Sequence, residues 1–455
     1  MAFVLYDVET SGLNKRFDQI LQFAAVRTDA DLVETDRFET RSRLMPHVIP
    51  SPKALHVNGT TLSEANSISR PSHYSMVCEI AEILASWSPA TFLGYNSIRF
   101  DEEFLRQAFY ECLHPIFLTN TNGNARADVL NLMRAATTLY PSLIQPGVES
   151  DGRPSHRLGP LAEANGVAQS RAHEAEADVD AMLGLCRIVH EKAPMLWSAF
   201  LRYSSKASAI GLVRDEDAFA YFDFFGTPRC MHFLTRVGAS PNDANAHYCL
   251  DLEYDIDSLR ALDDTGLAER LAQEPKPVRR LKMNASPLLY PLWDLEADQF
   301  TGLTEEELIR RASSVRADED FMAALTRAAA FNEPVYASSE HVELQIYGGK
   351  FLSDRDLDLC RRFHAVPWSD RLGLIRSFED SRLKRLALRL MYFESPQLLD
   401  DARRSAIAED IRLRRLGEGK YALPPWTTIP KALVEAEGMG QEISETFRLA
   451  FDISP

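Results

Sequence analysis

No stretch of this sequence approaches the roughly 18 to 20 consecutive apolar residues that a bilayer span needs, so a membrane-spanning reading is excluded. The chain enters a strand pattern directly at Phe3, without the basic, apolar and small-residue leader of an exported protein. The expectation is a cytoplasmic protein. Cysteine is scarce and scattered. Six residues stand singly at 78, 112, 186, 230, 249 and 360, with no Cys-x-x-Cys pair and no Cys/His ligand spacing, which argues for reduced thiols and against a zinc site. Positive charge is also short: 50 Lys and Arg face 66 Asp and Glu, for a formal net charge of −16. Such a balance ordinarily counts against a nucleic-acid ligand, because phosphate binding draws on Lys and Arg. Net charge does not set the local field, however, and a basic channel can sit on an acidic body. Internal repeats, low-complexity tracts and long linkers are missing as well.

What is present is a globular composition. Its 455 residues, 45% hydrophobic and 25% charged, leave room for two to four domains with well-packed cores. "FVLYDVE", "ILQFAAVRT" and "RFETRSRL" read as three consecutive strands, the first apolar throughout and therefore central in a sheet. A helix near 75 to 87, a short strand "TFLGYN" and the amphipathic helix "DEEFLRQAFYECL" follow, with further helical patterns at 128 to 139, 157 to 165 and 172 to 191. This predicts an α/β domain with a mixed sheet, closing near Pro194. From about 200 to 345 short β-like runs ("AYFDFFG", "CMHFLTRV", "AHYCLDLEY", "RRLKMN") alternate with helical patterns at 256 to 273 and 304 to 331, as in a small barrel or sheet decorated by helices. After "YGGKFLSDRD" the pattern is helical, with Leu383, Leu386, Leu390 and Phe393 along one face.

Three acidic placements carry the chemistry. In "LYDVETSG" the alternation of a strand puts Asp7 and Glu9 on one face and Val8 on the other. Two carboxylates held that close repel unless a proton or a cation lies between them, although strand-end acids fraying into solvent would look the same. In "LGYNSIRFDEEF" Asp101 falls where a helix begins, which taken alone reads as an N-cap. In "RAHEAEADVDAM" His173 precedes Asp178 by five residues among alanines that let a helix approach a sheet closely, and a surface helix with scattered acids remains open.

Taken together, these segments resemble the motifs of the DEDD-type 3′-to-5′ exonuclease superfamily, in the branch that carries a histidine. "FDEEFLRQAFY", "ADVLNLMRA", "PSHRLGPLAEANG", "RRLKMNASPLLYP" and "VELQIYGGKFLSDRD" extend the resemblance to the bacterial exonuclease I family over nearly the whole chain. The resemblance implies a ribonuclease-H-like exonuclease domain over 1–193, an SH3-like β domain with helices over 197–347, and an α-helical C-terminal domain over 348–455. It implies a monomer that degrades single-stranded DNA from its 3′ end to 5′-mononucleotides, with two Mg²⁺ ions per site for which Mn²⁺ can substitute. Hard oxygen donors suit such ions, and a pair of them stabilises both oxygens of an in-line displacement.

By the same resemblance Asp7 would bridge both ions, Glu9 and Asp178 would complete one site, and Asp101 would bind the second ion through water. His173 would be the general base, with an ordinary pKa suited to neutral pH. Glu9, Thr10 and Arg157 would hold the terminal nucleotide, with a tight turn at Gly12 bringing backbone close to it, while Arg106, Arg134 and Lys206 would contact DNA further along. Residues 114 to 124, "HPIFLTNTNGN", depart from the family's aromatic pattern. The family also docks the acidic C-terminal tail of single-stranded DNA-binding protein. Two other readings compete: a compact proofreading exonuclease or oligoribonuclease, against which the roughly 250 residues after the catalytic motifs speak, and a non-catalytic nucleic-acid-binding module, against which the complete acid set speaks.

Overall fold

The computed structural model describes residues 2–167, 174–222, 230–300, 302–334 and 339–451. Its N-terminal region runs Phe3–Thr10 (β1), Ile20–Thr28 (β2), Glu34–Arg41 (β3), His73–Ser86 (α1), Thr91–Gly94 (β4), Asp101–Glu111 (α2), Ala125–Asp128 (β5), Val129–Leu139 (α3), Leu158–Ala164 (α4) and Ala175–Lys192 (α5). The sheet order is β3-β2-β1-β4-β5. β1 is antiparallel to β2 and parallel to β4, which gives the mixed sheet and the central first strand that its apolar run predicts. β3 starts and ends three residues earlier than the pattern "RFETRSRL" suggests, and at its end the chain has left the ladder by Leu44, whose N–H turns to the Ala65 carbonyl. β5, too short to announce itself, pairs parallel with β4 and extends the sheet.

Alternation along β1 divides the interior. Phe3 and Leu5 point into a core built with α3 and α5, whereas Val4, Tyr6 and Val8 point into a second core shared with α1 and α2. Each core continues beyond the sheet. The first runs into the middle of the chain and the second into the C-terminal helices, so burial on both faces fixes β1 in one register.

The middle begins with two helices that the sequence pattern does not predict, Pro194–Arg202 (α6) and Lys206–Asp215 (α7). An antiparallel sheet follows, formed by Phe219–Phe222 (β6), Met231–Ala239 (β7), Ala246–Asp251 (β8), Val278–Lys282 (β9) and Leu289–Pro291 (β10) in the order β9-β8-β7-β6-β10. The end of the run "AYFDFFG" lies outside the described residues. Ile256–Arg260 (α8) and Asp264–Ala272 (α9) replace one predicted helix, and Glu305–Arg316 (α10) and Glu319–Phe331 (α11) replace another. An acid at each break explains the split: Asp263 accepts the Gly266 N–H and Asp318 accepts the Phe321 N–H, so each starts a new helix.

The last region is helical: Asp354–Ala365 (α12), Trp368–Ser377 (α13), Ser381–Glu394 (α14), Asp401–Leu416 (α15), Ile429–Met439 (α16) and Gln441–Ala450 (α17). Leu383, Leu386 and Leu390 are buried, as the spacing predicts, and the half-buried Phe393 stacks on His47. Residues 342 to 345 lie between this region and α2. The Glu343 carboxylate joins Arg389 of α14 at 2.6 Å and Arg414 of α15 at 2.7 Å, while Gln107 and Tyr110 of α2 donate to the Glu343 and Val342 carbonyls. Among the described residues no helix is long and apolar enough to cross a membrane.

Candidate active site

Asp7 and Glu9 leave β1 on the face that Phe3 and Leu5 also use. α5 packs on that face and supplies Asp178, with Ala175, Ala177 and Ala181 buried against the sheet where larger side chains would hold the helix away. One carboxylate oxygen from each of Asp7, Glu9 and Asp178 lies within 4.8 Å of the other two. Asp101 comes from the start of α2. It is not the N-cap that its position suggests: Phe100 occupies that place, and Asp101 Oδ1 accepts the N–H of Val8 at 3.2 Å, bonding to the residue between the two strand acids.

The electrostatics follow from this crowding. Burial, then the charges of Asp101, Glu9 and Asp178, push Asp7 well above the usual carboxylate range. Burial with Asp178 and Asp101 raises Glu9 to about 8, although the Arg41 guanidinium draws it partly back. Burial raises Asp101 to about 7 against the hydrogen bond from Val8. A set of hard oxygen donors that repel one another in this way fits a divalent cation of the Mg²⁺ class.

The other predicted residues are placed as follows. His173 lies outside the described residues. Thr10 is buried, with its hydroxyl donating to the Gly12 carbonyl at 2.7 Å and its carbonyl accepting from Asn58. A Cβ on Gly12 would meet Asp18 Oδ2 at 2.3 Å, so a larger residue there would have to displace a carboxylate that the Asn14 N–H holds. Arg157 ends the approach to α4 with its side chain 71% exposed and, among the described residues, paired with Glu149 at 3.5 Å. Arg134 is half-buried near Tyr95 and Asp128. Lys206 is exposed at the start of α7. Arg106 differs from a groove cation: its side chain is 11% exposed, paired with Glu102 and Glu103 and laid over the Phe117 ring.

Sequence reading missed Glu102. This fully buried carboxylate receives Arg106 and Arg126 at 2.9 Å each, Thr119 Oγ1 at 2.6 Å and the Tyr6 hydroxyl at 3.1 Å. It anchors the first turn of α2 and with it Asp101. Two consecutive acids in "FDEEF" give no sign of which one is buried. Phe117, within the stretch that departs from the family pattern, stacks with the exposed Tyr347 at 6.5 Å, with Arg16 over the second ring.

A family model described as Exonuclease matches residues 4–186, which hold all four acids. Exodeoxyribonuclease I of Haemophilus influenzae is 30% identical to this chain, with 98% of this chain and 94% of that one covered. The chain belongs to the exodeoxyribonuclease I family. Exodeoxyribonuclease I of Escherichia coli is 28% identical over 88% of this chain and 87% of its own. The crystal structure of E. coli exonuclease I in complex with a dT13 oligonucleotide matches with a TM-score of 0.86 at 25% identity, over 99% of this chain and 98% of that one. The antiparallel sheet and the C-terminal helices are thus part of the exodeoxyribonuclease I fold.

The raised carboxylates give this family member a pH signature. Between the ordinary value of Glu9, 4.5, and its value of about 8 in the folded chain, the folded state binds more protons than the unfolded one. Stability in chelator therefore falls as pH rises through that window. A cation that neutralises the cluster reverses the loss. The thermal midpoint gained on adding millimolar Mg²⁺ is expected to be larger at pH 8 than at pH 6, and a scanning-fluorimetry pH series with and without chelator checks this. A gain independent of pH would contradict it.

Proposed function

We propose that this exodeoxyribonuclease removes 5′-mononucleotides from the 3′ end of single-stranded DNA at the Asp7, Glu9, Asp101 and Asp178 cluster. The convergence of oxygens from Asp7, Glu9 and Asp178 within 4.8 Å is the observation that carries this reading. Asp7, Glu9 and Asp178 would hold one divalent cation, with Asp7 shared and Asp101 serving a second. When bound, two Mg²⁺ ions, or Mn²⁺ in their place, stabilise charge on the attacking and leaving oxygens. His173 takes the proton of the attacking water, and the turn from Thr10 to Gly12 sets the backbone against the terminal nucleotide. The exposed guanidinium of Arg157 receives a phosphate near the 3′ end.

Further along the strand, Arg134 and Lys206 supply phosphate contacts, whereas Arg106 serves first to hold Glu102 and reaches DNA only along its exposed edge. The stacked Phe117 and Tyr347 rings, flanked by Arg16 and Arg106, offer a surface on which bases stack without sequence preference. The protein partner is the acidic tail of single-stranded DNA-binding protein.

End-labelled single-stranded DNA, duplex DNA and short RNA digested side by side test the assignment. Stepwise loss from the 3′ end of single-stranded DNA is expected, and preference for RNA dimers would point instead to an oligoribonuclease. His173→Ala is expected to lower the rate by about 100-fold or more with DNA binding retained. Normal turnover of that variant would mean a different base.

A further inference from the structure

Away from the carboxylates, the fold assembles a second set of metal-binding side chains that the linear spacing of cysteine and histidine hides. Cys78 lies in the middle of α1, His114 in the turn that follows α2, and His364 near the end of α12. One ligand atom from each lies within 4.8 Å of the other two. Cys78 Sγ is 3.4 Å from His114 Nε2 and 3.9 Å from His364 Nδ1. Tetrahedral zinc, with bonds of about 2.3 Å to sulfur and 2.0–2.1 Å to nitrogen, separates such donors by about 3.6 Å. The sulfur already stands near that distance from both nitrogens.

The hydrogen bonds of His364 leave its Nδ1 as an acceptor on the side of the sulfur. His364 Nε2 lies 3.3 Å from the Leu113 carbonyl, which can only accept, so that nitrogen carries the proton and Nδ1 presents its lone pair. Metal-bound histidines are commonly anchored through the distal nitrogen in this way. The Tyr74 hydroxyl donates to Nδ1 at 2.9 Å while accepting from Arg371 at 2.8 Å, and it also faces the Cys78 sulfur.

We propose that Cys78, His114 and His364 form a zinc site that clips α1 of the catalytic region to α12 of the C-terminal region. One thiolate and two imidazoles suit Zn²⁺ and not Mg²⁺, so this donor set is chemically separate from the carboxylate cluster. On binding, the Cys78 thiol proton leaves to solvent as the zinc–sulfur bond forms. The two imidazoles, now stacked with centroids 3.9 Å apart, turn edge-on to the ion. The Tyr74 hydroxyl, displaced from His364, turns to the thiolate, and water takes the fourth position. The ion joins α1 to a helix 286 residues further along the chain, adding to the shared apolar core and to the Tyr74 hydrogen bonds with His364 and Arg371.

Cobalt(II) titrated into the full-length protein in excess Mg²⁺ tests this, because only a sulfur ligand gives a thiolate-to-cobalt charge-transfer band and the carboxylate cluster has none. One equivalent is expected to produce the band, and Zn²⁺ to bleach it. Cys78→Ser is expected to abolish the band while leaving Mg²⁺-dependent nuclease activity unchanged, which also reports that the variant is folded. His364→Gln is expected to weaken cobalt binding by at least tenfold. No band in the wild type, or a band that survives Cys78→Ser, would overturn the proposal.

Discussion

Asp7→Asn is expected to reduce Mg²⁺-dependent nucleotide release by at least about 10³-fold, since charge stabilisation by the bound ions is worth several kcal/mol and each 1.36 kcal/mol is tenfold in rate. In chelator the same variant is expected to be no less stable than the native chain, which separates loss of function from loss of fold. The reason lies in the cluster itself. Asp7 is held in a site where burial, Asp101, Glu9 and Asp178 all oppose its charge. Asparagine keeps the shape and removes that charge, so its neighbours gain what their mutual repulsion had taken. The stabilisation expected from added Mg²⁺ should then be much smaller in the variant. Release of acid-soluble nucleotide from labelled single-stranded DNA, with melting curves in chelator and in Mg²⁺, reads all three effects. Retained hydrolysis would remove Asp7 from the metal site, and lower stability in chelator would mean that the carboxylate is structural.

The parts of this site that could be read in advance are those governed by short-range periodicity. The alternation of β1 places Asp7 opposite Val8 and beside Glu9 whatever the rest of the chain does. The alanines around Asp178 give away a helix pressed on a sheet. Boundaries set by competing hydrogen bonds were harder: a hydrophobic stripe continues through 317 and 318 as if unbroken, yet the Asp318 cap ends one helix and begins another. Long-range partners were out of reach. Nothing near residue 106 says that its guanidinium is turned inward, and nothing near residue 78 says that histidines from 36 and 286 positions away face the same sulfur. Spacing along the chain argued against a soft-metal site because it measures sequence separation, whereas ligands need only be neighbours in space.

Glu102 shows how closely stability and the site are tied, and Glu102→Ala is expected to cost about 3–5 kcal/mol of folding free energy, the loss typical of breaking a buried ion pair from one side. Burial alone would raise this carboxyl, but the Arg126 and Arg106 guanidinium groups, helped by Thr119 and Tyr6, outweigh it and hold the pKa below its ordinary value. Its stabilisation is therefore complete above that ordinary value and lost as the pH falls toward the depressed one. Alanine leaves Arg126, itself buried, without this carboxylate and the Thr119 and Tyr6 hydroxyls without their acceptor. Glutamine keeps an acceptor for the hydroxyls and should lose less. Because Glu102 follows Asp101 in the same turn, the alanine variant should also lose kcat at temperatures where it remains folded, with a smaller change in KM for DNA. Urea melts and steady-state rates on single-stranded DNA separate the two losses. A variant as stable as the native chain would mean that Arg126 finds other partners, and unchanged kcat would mean that Asp101 is held by its bond to Val8 alone.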